Sequence, residues 1–329
     1  MTRSLEQVAM DLSQFYHRVS LGTFPTPVAR ISLAGIKSDA RIWIKSDDKS
    51  SRIYGGNKSR KLEFILGQSR RPVLTFGPLG SHHVYATAMH ARALCRQTAA
   101  VLVPQHMTPH HELVHTKILK LCSPVVTLSA SPLALAAQVG NVIELSKRGP
   151  MGYQICPPGG TSPIGTLGYV VGALELAAQI AAGQLPVPAK IFVPLGTGGT
   201  SVGIAIGMAM AGLVTETVAV RVVPELALPK ISLAWLMAGT LRLIRKAGLN
   251  APSKKDIRFS IRNGFSKKYA VTNPAADNAM QLARQAGIEL ETTYSAKTMA
   301  ALIADATGAA RPLEPLLFWQ TFADVAPSL

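Results

Sequence analysis

The sequence predicts a globular α/β protein built on parallel sheet, and three observations carry that expectation. Hydrophobic residues make up 48% of the chain and charged residues only 16%, which suits a buried core and not a disordered segment. Short apolar runs rich in Val, Ile and Phe alternate with stretches of helical pattern, the order that yields parallel strands joined by crossover helices. With 329 residues the chain can bury a large core, as one large domain or as two domains sharing a cleft, and two is the expectation.

Taken in order, Arg41 to Lys45 alternates as a strand does, and Ser46 to Gly56 is a polar, glycine-ended loop. Asn57 suits the N-cap of a helix running through Leu66. Lys58 then lies in the first helical turn, where the positive end of the helix dipole welcomes an anion and disfavours a charged ammonium. Val73 to Gly77 is a buried strand, Pro78-Leu79-Gly80 a turn, and about Ser81 to Cys95 a helix. Ala99 to Pro104 and Pro124 to Leu128 are further strands, with helices at Pro109 to Leu121 and Pro132 to Lys147. A short strand, Tyr153 to Cys156, meets the hinge-like loop Pro157-Pro158-Gly159-Gly160-Thr161-Ser162, and a long helix follows to about Ala182. The chain is expected to return to its first domain there. Lys190 to Leu195 is a strand and Ser201 to Ala211 a small-residue helix, so Gly196-Thr197-Gly198-Gly199-Thr200 sits at a strand-to-helix junction. Val218 to Pro224, a helix near Ile231 to Ala247, and an apolar strand Leu316 to Trp319 continue the pattern. No internal repeat or low-complexity tract interrupts it.

Several classes are set aside. The uncharged stretches Leu121 to Ile143 and Ile191 to Thr215 are broken by proline, serine and the glycine loop, so no membrane helix is expected. No apolar segment follows the arginine of Met1-Thr2-Arg3, which predicts a cytoplasmic protein without a secretory signal. Cys95, Cys122 and Cys156 are far apart and odd in number, predicting buried free thiols and neither a disulfide framework nor a zinc ribbon. The formal charge of +16 would draw acidic surfaces. Its basic residues are mostly scattered and aromatics are only 6%, so a nucleic-acid partner is not expected.

In Gly196-Thr197-Gly198-Gly199-Thr200 the glycines let consecutive N–H groups converge on a phosphate, with Thr200 adding a hydroxyl; a plain tight turn is the alternative. Gly80-Ser81-His82-His83 opens a helix after a strand, so Ser81 can cap the helix, hold a substrate carboxylate, or both. His111-Glu112-Leu113-Val114-His115 has the zincin spacing, with Glu144 as a possible third ligand, but a solvated histidine-rich helix needs fewer assumptions and no metal is expected. Tyr269 and Tyr294 lie in polar stretches and could face a cleft or simply pack. Lys58, crowded by the like charges of Arg60 and Lys61, is a candidate Schiff-base amine. An activated amine with a phosphate cradle suggests pyridoxal 5'-phosphate.

Taken together, these segments resemble the pyridoxal-phosphate family of 1-aminocyclopropane-1-carboxylate deaminase and D-cysteine desulfhydrase, nearly end to end. Gly55-Gly56-Asn57-Lys58-Ser59-Arg60-Lys61-Leu62-Glu63 is similar to the family's Schiff-base segment, and Pro158-Gly159-Gly160-Thr161-Ser162-Pro163-Ile164-Gly165 to its second signature loop. The resemblance implies an α/β, tryptophan-synthase-β-like fold of two domains, each a mostly parallel sheet flanked by helices. Residues 1–62 and 160–329 would form the large cofactor-binding domain and residues 63–159 the small one. It implies Ser81 at the substrate carboxylate, Tyr269 and Tyr294 on the substrate side, and Asn57, His82, Ser295, Thr321 and residues 196–200 around the cofactor. It also implies a homodimer. Ser295 and Gln320-Thr321 look more like the desulfhydrase branch, with Thr321 near the pyridine nitrogen. The chain departs from the family where Ser-Asn-His is Ser81-His82-His83, Gly-Tyr-Gly is Lys268-Tyr269-Ala270, and a glycine pair is Phe322-Ala323.

The implied reaction, a lyase, deaminase or hydrolase activity, is β-elimination from a small amino acid, with D-cysteine giving pyruvate, sulfide and ammonia. Alternatives are ring-opening deamination of 1-aminocyclopropane-1-carboxylate, β-replacement, and a catalytically silent cofactor-binding relative.

Overall fold

A computed structural model describes residues 3–36, 41–128, 152–223, 230–263, 272–308 and 314–322. The expected helix at Pro132 to Lys147 and the candidate site residue Tyr269 lie outside these described residues. Strands β1 (Val28–Ile31), β2 (Ile42–Ser46), β7 (Lys190–Leu195), β8 (Glu216–Arg221), β9 (Phe259–Arg262) and β10 (Leu316–Gln320) form a six-stranded sheet in the order β1-β2-β10-β7-β8-β9. Strands β3 (Val73–Pro78), β4 (Thr98–Val103), β5 (Cys122–Thr127) and β6 (Gln154–Cys156) form a four-stranded sheet in the order β5-β4-β3-β6. All pairings are parallel except the antiparallel β1–β2 edge. That is the sheet type predicted when apolar strands alternate with helices.

The helices are α1 (Leu5–Phe15), α2 (Asn57–Gly67), α3 (His82–Ala93), α4 (Pro109–Leu121), α5 (Pro163–Ala181), α6 (Gly199–Met210), α7 (Lys230–Lys246), α8 (Pro274–Gln285) and α9 (Ser295–Thr307). Helix α5 is apolar and long enough to cross a bilayer, but most of it is buried within the protein. It packs on α6 at close range because α6 carries glycine where the helices touch. A Cβ on Gly203 would lie 2.6 Å from the Thr166 carbonyl oxygen, and one on Gly207 would lie 2.6 Å from that of Val170.

On the far side of α5 runs a buried polar network. The Arg60 guanidinium donates to both carboxylate oxygens of Asp47 and to both of Glu175, while Lys45 Nζ donates to Glu175 Oε1 at 2.5 Å and Gln179 Oε1 at 2.6 Å. Tyr169 and Trp319 each donate to Asp47 Oδ2 at 2.8 Å. Strand β2, the turn after it, α2, α5 and β10 are thereby tied at one point, which fixes α2 and the lysine at its start.

Two sequence expectations are corrected. Asn57 is the first residue of α2 and not its N-cap; Gly56, at φ 75°, occupies the cap, a left-handed conformation open to glycine. Cys122 and Cys156 are buried as expected, but Cys95 is exposed, in the turn that ends α3.

Candidate active site

Lys58 sits in the first turn of α2, and its Nζ donates to Asn57 Oδ1. Asn57 in turn donates from Nδ2 to Thr200 Oγ1 at 3.3 Å and from its backbone N–H to the Thr321 carbonyl at 2.9 Å. The amine, the glycine loop and the end of β10 are thus joined through one asparagine. Loss of solvation lowers the Lys58 pKa to about 8 from 10.5, against the opposing charge of Glu291. The expected cause, like-charge crowding by Arg60 and Lys61, is corrected: burial lowers the amine, and Arg60 points into the Asp47–Glu175 pair.

The glycine loop leads from β7 into α6, whose first-turn N–H groups have no acceptor within the helix. Gly198 adopts φ +90°, and a Cβ there would lie 2.4 Å from Leu233 Cδ2, so glycine is required. Thr197 Oγ1 meets Thr161 Oγ1 at 2.6 Å, which brings the 157–162 loop against it. Lys61 lies one turn beyond Lys58, buried, with Nζ donating to the Gly159 carbonyl at 3.0 Å and only 3.4 Å from where a Gly199 Cβ would stand. Burial first, and then the neighbouring charge of Lys58, hold its pKa well below the ordinary value. An ammonium has three N–H donors. A phosphate in the cradle would supply both the remaining acceptors and the countercharge, so the residues present fit pyridoxal phosphate.

Around this centre Tyr294 lays its ring on Gly196, with Cε1 3.1 Å from where a Cβ would be. Its backbone is pinned by Glu291, whose carboxylate accepts the N–H groups of Thr293 and Tyr294 at 2.7 Å and of Ser295 at 2.6 Å. Ser295 is fully buried, and its hydroxyl accepts the Glu291 N–H at 2.7 Å. Ser81 caps α3, accepting the Val84 N–H at 3.4 Å. His82, next in line, bonds the Tyr54 hydroxyl through Nδ1 and His110 through Nε2, with Phe322 edge-on at 6.0 Å. Burial first, then the charges of His110, Lys58 and His111, bring its pKa down to about 3.

Sequence reasoning missed Lys61, Glu291, Tyr54 and His110. For Lys61 the signal existed, since residues three apart share a helix face; nothing in the sequence pairs Tyr54 or His110 with His82. Among the described residues no group of three metal-ligating side chains exists. His111 instead closes a capping box with Thr108, and Glu144 lies outside the described residues.

A lysine amine and a glycine-loop cradle on two parallel sheets define a cofactor enzyme, and residues 19–315 match the family described as pyridoxal-phosphate dependent enzyme. The chain belongs to that family, with pyridoxal phosphate as its cofactor, and within it to the group of 1-aminocyclopropane-1-carboxylate deaminase and D-cysteine desulfhydrase. It is 32% identical to nocardicin C-9' epimerase of Nocardia uniformis subsp. tsuyamanensis, over 92% of each chain. It is 30% identical to D-cysteine desulfhydrase of Salmonella choleraesuis (strain SC-B67), over 88% of each. The crystal structure of an ACC deaminase homologue superposes with a TM-score of 0.79 at 26% identity, covering 98% of this chain and 95% of that one. The fold expectation, α/β with parallel-rich sheets of this family, is borne out; hydrolase describes none of these relatives.

Proposed function

We propose that the protein catalyses β-elimination from a small amino acid, D-cysteine first, releasing pyruvate, sulfide and ammonia. The observation that carries this reading is the amine of Lys58, part-buried, lowered to about 8 and linked through Asn57 to Thr200 of the glycine loop. Bound pyridoxal phosphate supplies a sink for the electron pair of the substrate's Cα–H bond. Lys58, neutral in a useful fraction near pH 8, takes the α proton. Lys61, Thr197, Thr200 and the amides of residues 196–200 hold the phosphate. Ser81 and the N-terminus of α3 hold the substrate carboxylate and so orient the Cα–H bond. Tyr294 and Tyr269 would line the substrate side, and His82, Ser295 and Thr321 would stand around the cofactor, with Thr321 towards the ring nitrogen. Thr321 offers a hydroxyl and no charge there, which favours prompt elimination over transamination.

We further propose a small domain of residues 63–159 on a large domain of residues 1–62 and 160–329, a reading supported by the two separate sheets. The reading includes a cytoplasmic homodimer without nucleic-acid or membrane partners, which sedimentation would check.

Pyruvate release from D-cysteine, L-cysteine, D-serine and 1-aminocyclopropane-1-carboxylate tests the reaction. D-cysteine is expected to be fastest, and preference for the cyclopropane substrate would overturn the choice. Borohydride reduction should attach the cofactor at Lys58 and fail to do so in Lys58→Ala; attachment to Lys61 instead would refute the lysine assignment. Epimerisation is the second reading, favoured by the 32% identity to an epimerase. It predicts inversion at the α-carbon without pyruvate.

A further inference from the structure

Three side chains form a hydrogen-bonded row from solvent into the protein interior. The Tyr54 hydroxyl meets Nδ1 of His82, and Nε2 of His82 meets Nε2 of His110 at 2.9 Å. The two imidazoles stack with centroids 5.0 Å apart and planes 24° from parallel. Tyr54 is 4% exposed, His82 part-buried and His110 exposed, so the row runs inward from water.

Two ring nitrogens facing each other at this distance share one hydrogen, one donating and the other accepting. Because each ring has a second nitrogen, the row has two tautomeric arrangements. In the first, His110 Nε2–H donates to His82, and His82 Nδ1–H donates to the tyrosine oxygen. In the second, the tyrosine O–H donates to His82 Nδ1, and His82 Nε2–H donates to His110. They differ by one step of a proton along the whole row. The positive surroundings of His82, with Lys58, His110 and His111 all acting on it, disfavour a resting imidazolium and favour passage through the neutral ring.

Such a route serves the reaction. Once Lys58 holds the α proton, a hydrogen delivered by another group assists departure of the leaving group in elimination and completes inversion at the carbon. We propose that Tyr54, His82 and His110 form a proton relay between solvent and the reacting amino acid, a second acid–base route separate from Lys58. Water or buffer acid protonates His110 at Nδ1. His110 Nε2–H then passes to His82 Nε2, His82 Nδ1–H passes to the Tyr54 oxygen, and the tyrosine's own hydrogen goes to the substrate atom. One proton leaves the solvent, one reaches the substrate, and no electrons change hands. The inference rests on the reading of Lys58 as the base.

His110→Ala in the holoenzyme is the test, since removal of an exposed ring spares the core. Turnover of D-cysteine should fall by about 10²-fold or more, with the cofactor's visible absorbance unchanged, and free imidazole should restore it saturably. Tyr54→Phe should lose turnover without rescue by imidazole. Wild-type holoenzyme labelled with ¹⁵N-histidine should give a scalar coupling between the Nε2 atoms of His82 and His110, which requires no catalysis. Undiminished turnover in His110→Ala, loss that imidazole does not restore, or absence of the coupling would each overturn the relay. If the Lys58 reading alone is wrong, the borohydride adduct appears on another lysine while the coupling persists.

Discussion

At the scale of single residues, burial decides the chemistry of Lys58. An unfolded lysine keeps its proton to about pH 10.5, whereas folded Lys58 releases it near 8. Between those values the unfolded chain binds more protons, so stability rises with pH. Below 8 the cost of the buried charge is complete. Apoprotein carrying Lys58→Met should therefore exceed wild type in urea stability at pH 7, by about 1–2 kcal/mol after allowing for residual solvent contact. That advantage should shrink as pH climbs from 8 towards 10. A constant difference across the range would mean that Lys58 does not titrate there. His90 gives the acid counterpart. Burial takes its pKa down to about 4, and its Nε2–H donates to the Tyr54 carbonyl at 3.0 Å. Unfolded histidine binds a proton near 6.5, so this site subtracts stability as pH falls from about 6.5 to 4. His90→Gln should flatten that limb in thermal melts read by circular dichroism.

At the scale of elements, two devices hold the lysine and the glycine loop in place. The first is the helix contact at Gly203 and Gly207, where carbonyl oxygens of α5 fill the space a side chain would need. Gly207→Val should force α6 away from α5 and cost about 1–3 kcal/mol, the usual range for overpacking. Because α6 starts at the phosphate cradle, cofactor affinity in an equilibrium titration should weaken as well. The second is the Arg60 network. Arg60→Met would leave Asp47 buried and without its cation, a change that costs about 3–5 kcal/mol when one partner of a buried pair is removed. Chemical denaturation would read it.

These elements also mark what the sequence could reveal. Strands β3, β4 and β7 and helices α3, α5 and α6 were legible because an apolar strand, a glycine turn and a small-residue helix follow one another locally. Strand β1 was not; Val28–Ile31 is four residues long, part-exposed and at a sheet edge, so no alternation distinguishes it. Helix α8 carried a readable start, Asn273-Pro274, with the Asn273 side chain accepting the Ala276 N–H at 2.9 Å. Helix α9 had none, because its N-cap Tyr294 makes no side-chain cap and Glu291, placed upstream, supplies the acceptors. In the proposed site, Lys58, Ser81 and residues 196–200 stood out by local chemistry. The Tyr54–His82–His110 row did not, for its contacts join positions 28 residues apart in sequence.

At the scale of the whole molecule, the proposed site draws on both sheets. The glycine loop follows β7 and Thr321 follows β10, both of the six-stranded sheet, while Ser81 and His82 follow β3 of the four-stranded one. Helix α2 lies between them in sequence and carries both lysines. A ligand held by all of these groups at once binds only when the two sheets keep their native relation, so its binding free energy adds to folding stability. At about one hundred times its dissociation constant a ligand contributes about 2.7 kcal/mol, worth several degrees in melting temperature for a chain of this size. The location of the effect is more informative than its size. Hydrogen exchange of holoprotein against apoprotein should slow at the start of α6, in the first turn of α2 and at the start of α3 together. In Lys61→Met the cofactor would lose its charged phosphate partner while Lys58 can still bond it. Protection should then fall first at α6 and persist at α2. Protection that rises only around β7 and α6, with α3 unchanged, would mean that the four-stranded sheet takes no part in holding the cofactor, and the assignment of Ser81 and His82 to the site would fail with it.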